Sequence, residues 1–337
     1  MKKYLLFTII IWMSISRLAL SVDGPIAKIW SQPAIFKADE QVSIFFDVTG
    51  TQLDGDAGPV YMWTWSPKEP DKGNFNNSSD FAKLTHVSGN IWKWVVTPTV
   101  YYGVPSDSIT TLWLLLKTKN GSKQTPNTGS SITLYDFTTI KSTGIMDYQP
   151  QDFTIDKPLS ILVNTLNTWS GCDAGPGVQG ALASSDNVHF RSGINDWSVI
   201  VENNTANLTK TAMTNLGDSI YRIDIIPKDY YNAGDIAYQN IKFVFANAEA
   251  TLVGKDVECA QFSIDVPVQP VPPQPELTIF PQKITQKDIL YLVRTDNEEG
   301  VTSLSYTITG DTKVISGNFS GSAAKFEAYI EIGRAHV

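Results

Sequence analysis

The chain repeats itself, and the repeat constrains its fold more than any other feature. Gln32-Pro33 recurs as Gln149-Pro150, Asp39 as Asp156, and Asp56-Ala57-Gly58-Pro59 as Asp173-Ala174-Gly175-Pro176, each pair 117 residues apart. Further along, residues 91–102 match residues 220–231, and residues 112–116 match residues 241–245, both at an offset of 129. A repeat unit of this length is large enough to bury a core of its own, so each copy reads as a domain. The step from 117 to 129 places a net insertion of 12 residues in the second copy. Eleven of these fit between the second Asp-Ala-Gly-Pro turn and Val188. A third copy opens with Phe280-Pro281-Gln282-Lys283-Ile284 and then Ile289-Leu290-Tyr291-Leu292, which matches Gln32-Pro33 through Ile44. The run Val266-Pro267-Val268-Gln269-Pro270-Val271-Pro272-Pro273-Gln274-Pro275 precedes it. Such a composition favours polyproline II and a semi-rigid spacer.

Within each copy the pattern is strand after strand. Val42-Ser43-Ile44-Phe45-Phe46-Asp47-Val48 and its counterpart Leu159-Ser160-Ile161-Leu162-Val163 have the β-rich composition of inner strands. Val60-Tyr61-Met62-Trp63-Thr64-Trp65 alternates bulky groups with period two. Gly, Pro, Asn and Asp cluster between such runs and mark turns, and no stretch keeps a helical period over three turns. The expected fold class is all-β: tandem antiparallel β-sandwiches of immunoglobulin or fibronectin-III-like type, the third truncated. The expected division is a signal peptide at 1–21, a first sandwich at 22–146 and a second at 147–265. A Pro-rich linker at 266–276, a partial third sandwich at 277–331 and a tail at 332–337 complete it.

Both ends carry their own signals. Lys2 and Lys3, the apolar run from Leu5 to Ile15, and Ala19-Leu20-Ser21 have the order of a secretory leader with a small-x-small cleavage site. A membrane anchor is the alternative. The expected location is therefore exported: periplasm, cell surface or medium. Glu331-Ile332-Gly333-Arg334-Ala335-His336-Val337 reads as a sequencing adaptor translated in frame, so the gene is expected to continue beyond it.

Composition narrows the partners. The 337 residues carry 26 Lys and Arg against 34 Asp and Glu, a net charge of −8 with no basic run, which argues against nucleic acid. No other segment is long and apolar enough to span a membrane. Two cysteines and three histidines argue against a multi-cysteine zinc framework and histidine-rich metal chemistry. In an exported chain Cys172 and Cys259 are free to form a disulfide, which would close a long loop and contribute about 4 kcal/mol; two buried thiols are the alternative. Asp54-Gly55-Asp56-Ala57-Gly58 has oxygens at alternate positions but lacks the late acidic residue of a calcium loop, and reads as a turn. No nucleophile-elbow, zincin or phosphate-loop motif is present, so no catalytic residue and no cofactor are expected in the visible chain.

The binding candidates are aromatic. Trp63 and Trp65 lie two apart on a strand and face the same side. If that side is the core they are packing groups; if it is exposed they make a platform for the apolar C–H faces of sugar rings. Trp92 and Trp94 alternate likewise, but their counterparts Tyr221 and Ile223 point to packing. Tyr101-Tyr102 and Tyr230-Tyr231 read as corners in which a tyrosine hydroxyl caps backbone.

In the second copy Gly193-Ile194-Asn195-Asp196-Trp197 follows the strand Val188-His189-Phe190-Arg191 and precedes the strands at 221–225 and 241–245. This order resembles the early-set immunoglobulin-like modules beside amylases and the surface glycan-binding proteins of Gram-negative polysaccharide-utilisation systems. The resemblance covers about 75 residues of copy two, and the first copy departs from it: Trp65-Ser66-Pro67 replaces the turn. It implies a sugar-binding role for Asn195, Asp196 and Trp197, a polysaccharide (starch-like or another glycan) as ligand, and partner proteins of a surface glycan-uptake system. The expected function is thus an exported, non-catalytic polysaccharide-binding protein using Trp63, Trp65, Asn195, Asp196 and Trp197. Its alternatives are the non-catalytic N-terminal region of a larger secreted glycoside hydrolase and a structural stalk or adhesin array.

Overall fold

The computed structural model describes residues 25–70, 75–126, 129–173, 175–234, 236–267, 276–281, 289–295, 303–309, 314–322 and 325–331. The expected leader at 1–21, the run 268–275 inside the expected linker, and residues 332–337 lie outside the described residues.

The protein is all-β, with seven antiparallel sheets among the described residues. The first sandwich contains β1 (Lys28–Gln32), β2 (Val42–Asp47), β3 (Val60–Ser66), β4 (Thr85–Ser88), β5 (Ile91–Val96), β6 (Thr111–Thr118) and β7 (Ser130–Thr133). One sheet runs β1-β2-β5-β4 and the other β3-β6-β7. The second contains β8 (Met146–Gln149), β9 (Leu159–Asn164), β10 (Trp169–Ser170), β11 (Val178–Gln179), β12 (Val188–Ile194), β13 (Val199–Val201), β14 (Thr214–Gly217), β15 (Ile220–Ile225), β16 (Asn240–Asn247), β17 (Val253–Gly254) and β18 (Phe262–Asp265). Its sheets run β14-β15-β9-β8 and β13-β12-β16-β17, with β18 also on β16. The extra residues of the second copy supply β11, which pairs with β10, and a 3₁₀ turn, Ala181–Ser184, whose Leu182 enters the core. Cys172 and Cys259 are joined by a disulfide across 87 residues, with Cα atoms 5.7 Å apart. It ties the loop after β10 to the turn before β18.

Period-two alternation decides what goes inside. In the first sandwich Val42, Ile44 and Phe46 face Val60, Met62, Leu112, Leu114 and Leu116 across one core, joined by Trp92, Trp94 and Val96 from β5. The second repeats this with Leu159, Ile161 and Val163 against Phe190, Ile241, Phe243 and Phe245. Trp92 and Trp94 are buried packing groups. The tyrosine corners recur, with one correction. The Tyr102 hydroxyl meets Thr64 Oγ1 at 2.8 Å, and the Tyr231 hydroxyl donates to Ser192 Oγ at 2.9 Å. They clamp a side-chain hydroxyl of the opposite sheet, because Thr64 and Ser192 are inward polar groups that need a partner. The neighbouring Tyr230 hydroxyl does reach backbone, at the Phe190 carbonyl 3.5 Å away.

The two sandwiches share a buried joint. Ile35 from the first and Ile140 from the connecting helix Thr138–Ser142 pack on Leu162 and Ile220, on the outer face of sheet β14-β15-β9-β8. Arg222, only 3% exposed, donates to both oxygens of Glu40 (2.8 and 2.5 Å), to Asp224 (2.8 Å) and to the Ile35 carbonyl (2.8 Å). Ser160 Oγ accepts from the Ala34 and Ile35 amides and donates to Asp224. Burial works to raise the Glu40 pKa, but the hydrogen bond and charge of Arg222 prevail and hold it below its usual value. At Asp224 burial prevails and the carboxyl is pushed up.

Residues 267–337 form a separate compact unit. It contains β19 (Glu276–Phe280), β20 (Ile289–Thr295), β21 (Ser305–Thr309), β22 (Val314–Asn318), β23 (Ser320–Ser322) and β24 (Lys325–Glu331). One sheet runs β19-β20-β24-β23, and β21 pairs with β22. Among the described residues no helix is long and apolar enough to cross a membrane.

Candidate functional site

The outward face of sheet β3-β6-β7 carries two exposed tryptophans, Trp65 and Trp113. Val60, Met62 and Thr64 point inward, so Tyr61, Trp63 and Trp65 point out. On β6, Leu112, Leu114 and Leu116 point inward, so Trp113, Leu115 and Lys117 share the outer face. Trp63 and Trp65 therefore lie on one face, but they have different neighbours.

Trp63 is half-buried. Phe75 packs edge-on to it with ring centroids 5.2 Å apart, and Lys117 Nζ lies 5.8 Å from its ring. Lys117 is itself fully buried: its ammonium donates to the carbonyls of Phe75 (2.5 Å), Thr118 (3.3 Å) and Lys119 (3.2 Å), and sits 4.6 Å from the Phe75 ring centroid. Carbonyl dipoles and ring faces take the place of water around the charge. This cluster holds Phe75 down on Trp63.

Trp65 stands clear of it. Its partner is Trp113, across the strand pair, with centroids 6.4 Å apart and planes within 30°. The two indoles are 38% and 39% exposed, so each keeps part of its surface toward solvent. A bulge between Thr64 and Ser66 lets Trp65 lean toward β6. Beneath it, a Cβ on Gly129 would come within 2.7 Å of both Trp65 and the Leu114 carbonyl, and the backbone there has φ of +62°. Only glycine fits that contact. Beyond Trp113 stand hydroxyls: Ser131 lies opposite it on β7, and Thr111 and Thr133 pair through their Oγ atoms at 3.3 Å. A flat apolar pair flanked by hydroxyls can stack on one face of a sugar and hydrogen-bond to its rim.

Asn195, Asp196 and Trp197 form the turn from β12 to β13 in the second sandwich, so they do not join Trp63 and Trp65 in one site. All three residues have left-handed backbone, with φ of 50°, 55° and 69°. Asn and Asp tolerate that region; Trp seldom adopts it. The strain is held by internal bonds. Asn195 Oδ1 accepts from the Gln239 amide (2.8 Å) and its Nδ2 donates to the Ala237 carbonyl (2.8 Å). Asp196 pairs with Lys242 at 2.6 Å, and that hydrogen bond and charge lower its carboxyl pKa. Trp197 Nε1 donates to Gln261 Oε1 (2.9 Å), its ring covers Gly193, and the Arg191 guanidinium lies 5.4 Å from its centroid. The Asn195 amide, one Asp196 carboxylate oxygen and the Trp197 N–H are thus engaged within the protein, while the Asp196 side chain stays 66% exposed.

The Asp54–Asp56 turn is engaged in the same way. Asp54 accepts from the Gly50 amide and Asn90, and Asp56 from the Gly58 amide and Lys123. Among the described residues no group of three or more His, Cys, Asp or Glu side chains is placed to hold a metal ion.

Sequence reasoning did not single out Trp113. Its signal was present in Thr111-Leu112-Trp113-Leu114, where alternation sets Trp113 opposite the core leucines. The register that brings it to Trp65 is a tertiary fact.

No protein-family model and no curated protein matches the chain. Among solved structures, the cryo-EM reconstruction of the native conformation of E. coli alpha-2-macroglobulin is similar at 8% identity with a TM-score of 0.19. The match takes in 90% of this chain and 20% of that one, so the chain spans about a fifth of that structure's length. At that score the likeness carries no argument.

Proposed function

We propose that this is an exported, non-catalytic polysaccharide-binding protein whose binding surface is the outer face of sheet β3-β6-β7, with Trp65 and Trp113 as the platform. The observation that carries the reading is the exposure of two indoles, with planes within 30° of each other, on the outer sheet face beside Ser131 and Thr133. An aromatic side chain offers roughly 150–250 Å² in all. Covering about a third of that, nearly all that the exposure leaves open, at ~25 cal/mol per Å² supplies roughly 1–2 kcal/mol per indole. Two such contacts make binding measurable without a deep pocket. Trp63, covered by Phe75, stands apart from the platform. The turn at Asn195, Asp196 and Trp197 has a structural role, and the second sandwich serves as a spacer.

Affinity electrophoresis tests this reading. The chain, net −8 and hence mobile in a native gel, is run through gels holding starch, xylan, β-glucan or no polymer. The expected result is retardation by at least one polymer, abolished in Trp65→Ala/Trp113→Ala and kept in Trp197→Ala. Unchanged mobility in every gel, or retardation that the double variant retains, would sink the proposal.

A further inference from the structure

The separate unit at 267–337 lays out its first sheet as the two sandwiches do. The order β19-β20-β24-β23 repeats β1-β2-β5-β4 and β8-β9-β15-β14. The registers agree as well. Phe280 lies opposite Tyr291 as Gln32 lies opposite Ser43, and Leu290 lies opposite Ile330 as Val42 lies opposite Val96. Leu290 and Leu292 therefore stand where Val42 and Ile44 stand.

In the first sandwich those positions share a core with Leu112, Leu114 and Leu116 of β6. In the second, Leu159 and Ile161 share one with Ile241, Phe243 and Phe245 of β16. In the separate unit the facing layer, among the described residues, is the β21–β22 pair. Between the layers a cleft of about 670 Å³ is lined by Ile279, Leu290, Leu292, Tyr306, Ile308 and Phe319. By chain order β21 takes the place of β3, the strand that pairs with β6. One edge of β21 is paired with β22; among the described residues no strand pairs with the other.

We propose that this cleft is the seat of one further β-strand of the β6 type: extended polypeptide, apolar at every second position, adding to the edge of β21 that no described strand occupies. An open strand edge carries backbone donors and acceptors that a strand satisfies and a small apolar molecule does not. The alternating side chains then enter the cleft as Leu112, Leu114 and Leu116 enter the first core. The inference is independent of the glycan reading.

The test uses the full chain and a fluorescein-labelled synthetic peptide with the sequence of β16, Asn240–Asn247, which carries the apolar alternation and one lysine for solubility. Fluorescence anisotropy is expected to rise saturably in the micromolar range. A peptide of the same composition with the alternation broken is expected not to bind. Leu292→Asp should abolish binding but risks unfolding the unit. Ile279→Asp, at a cleft residue already 42% exposed, should weaken binding at least 10-fold with the circular dichroism unchanged. No saturable binding, or equal binding of the scrambled peptide, would overturn the proposal. So would an apolar dye that fills the cleft without being displaced by the peptide, and so would closure of the cleft by dimerisation seen in sedimentation.

Discussion

The outer faces of the two sandwiches are built on the same strand pair and carry opposite chemistry. Thr64 and Ser192 take the same tyrosine clamp, and they pair with Leu114 and Phe243, so the two strand pairs align up to that point; past it the first has a bulge that sets Ser66 opposite Trp113, where the second sets Gly193 opposite Lys242. Where the first has Trp63, Trp65 and Trp113, the second has Arg191, Gly193 and Lys242. Where the first buries Lys117, the second has Ala246. Arg191 and Lys242 are spent on Glu202 and Asp196, and Trp197 folds back over Gly193. One copy keeps aromatic surface toward solvent; the other closes its surface with ion pairs. The inward residues fix the fold, so the outward ones are free to diverge, and the proposed split into a binding face and a spacer rests on the outward ones alone.

The disulfide offers the strongest way to break the symmetry, because the first copy has none. Cys172→Ala/Cys259→Ala should lower the stability of the second sandwich by about 4 kcal/mol. Hydrogen exchange should show its strands losing protection well before those of the first. Equal loss in both would mean that the joint at Arg222 makes them one cooperative unit. Next comes binding. Trp65→Ala/Trp113→Ala should weaken capture by whichever polymer retards the chain about 100-fold or more, at 1.4 kcal/mol per tenfold. Titration calorimetry with that polymer measures the loss, and a change below fivefold would remove the platform from the mechanism. Tyr102→Phe and Tyr231→Phe probe what the copies share. Each hydroxyl clamp is buried, so each variant should cost about 1–1.5 kcal/mol in denaturant unfolding. A neutral result at either would show that the clamp is not a common device.

The smallest effect is a pH difference. His189, where the first copy has Tyr61, is buried beside Thr211, and burial lowers its pKa from 6.5. The folded state thus prefers the neutral ring. Its contribution is whole above the unfolded pKa and is lost as pH falls from about 6.5 toward the lower folded value. Melting temperature should therefore decline over that acid window in the wild type, and less steeply in His189→Gln. Identical slopes would refute the assignment.

Much of this was legible beforehand, for a physical reason. Inward positions obey period two, and the repeat supplied each strand with a second copy, so Ile44 and Ile161, or Leu114 and Phe243, could be read as core from the chain alone. The outer face resisted because its state depends on what folds over it. Nothing local tells that Phe75 and Lys117 cover Trp63 while Trp65 meets Trp113 in the open. Asn195 and Asp196 looked available for the same reason: their partners, Ala237, Gln239 and Lys242, lie more than forty residues away. Arg222 aligned with Lys93 as an ordinary strand residue, and only the docking of the segment through Ile35 and Glu40 makes it a buried fork.

That fork has a mechanical meaning. If a long polymer is held at the first sandwich, its drag reaches the second through the contact of Ile35 and Glu40 with Arg222 as well as through the short helix between them. Separating the two bodies would strip Glu40 from a guanidinium that remains beside Asp224, and breaking such a buried pair costs about 3–5 kcal/mol. The load is therefore borne by a short-range lock, stiff until it fails, rather than by a flexible tether that yields with every fluctuation of the polymer.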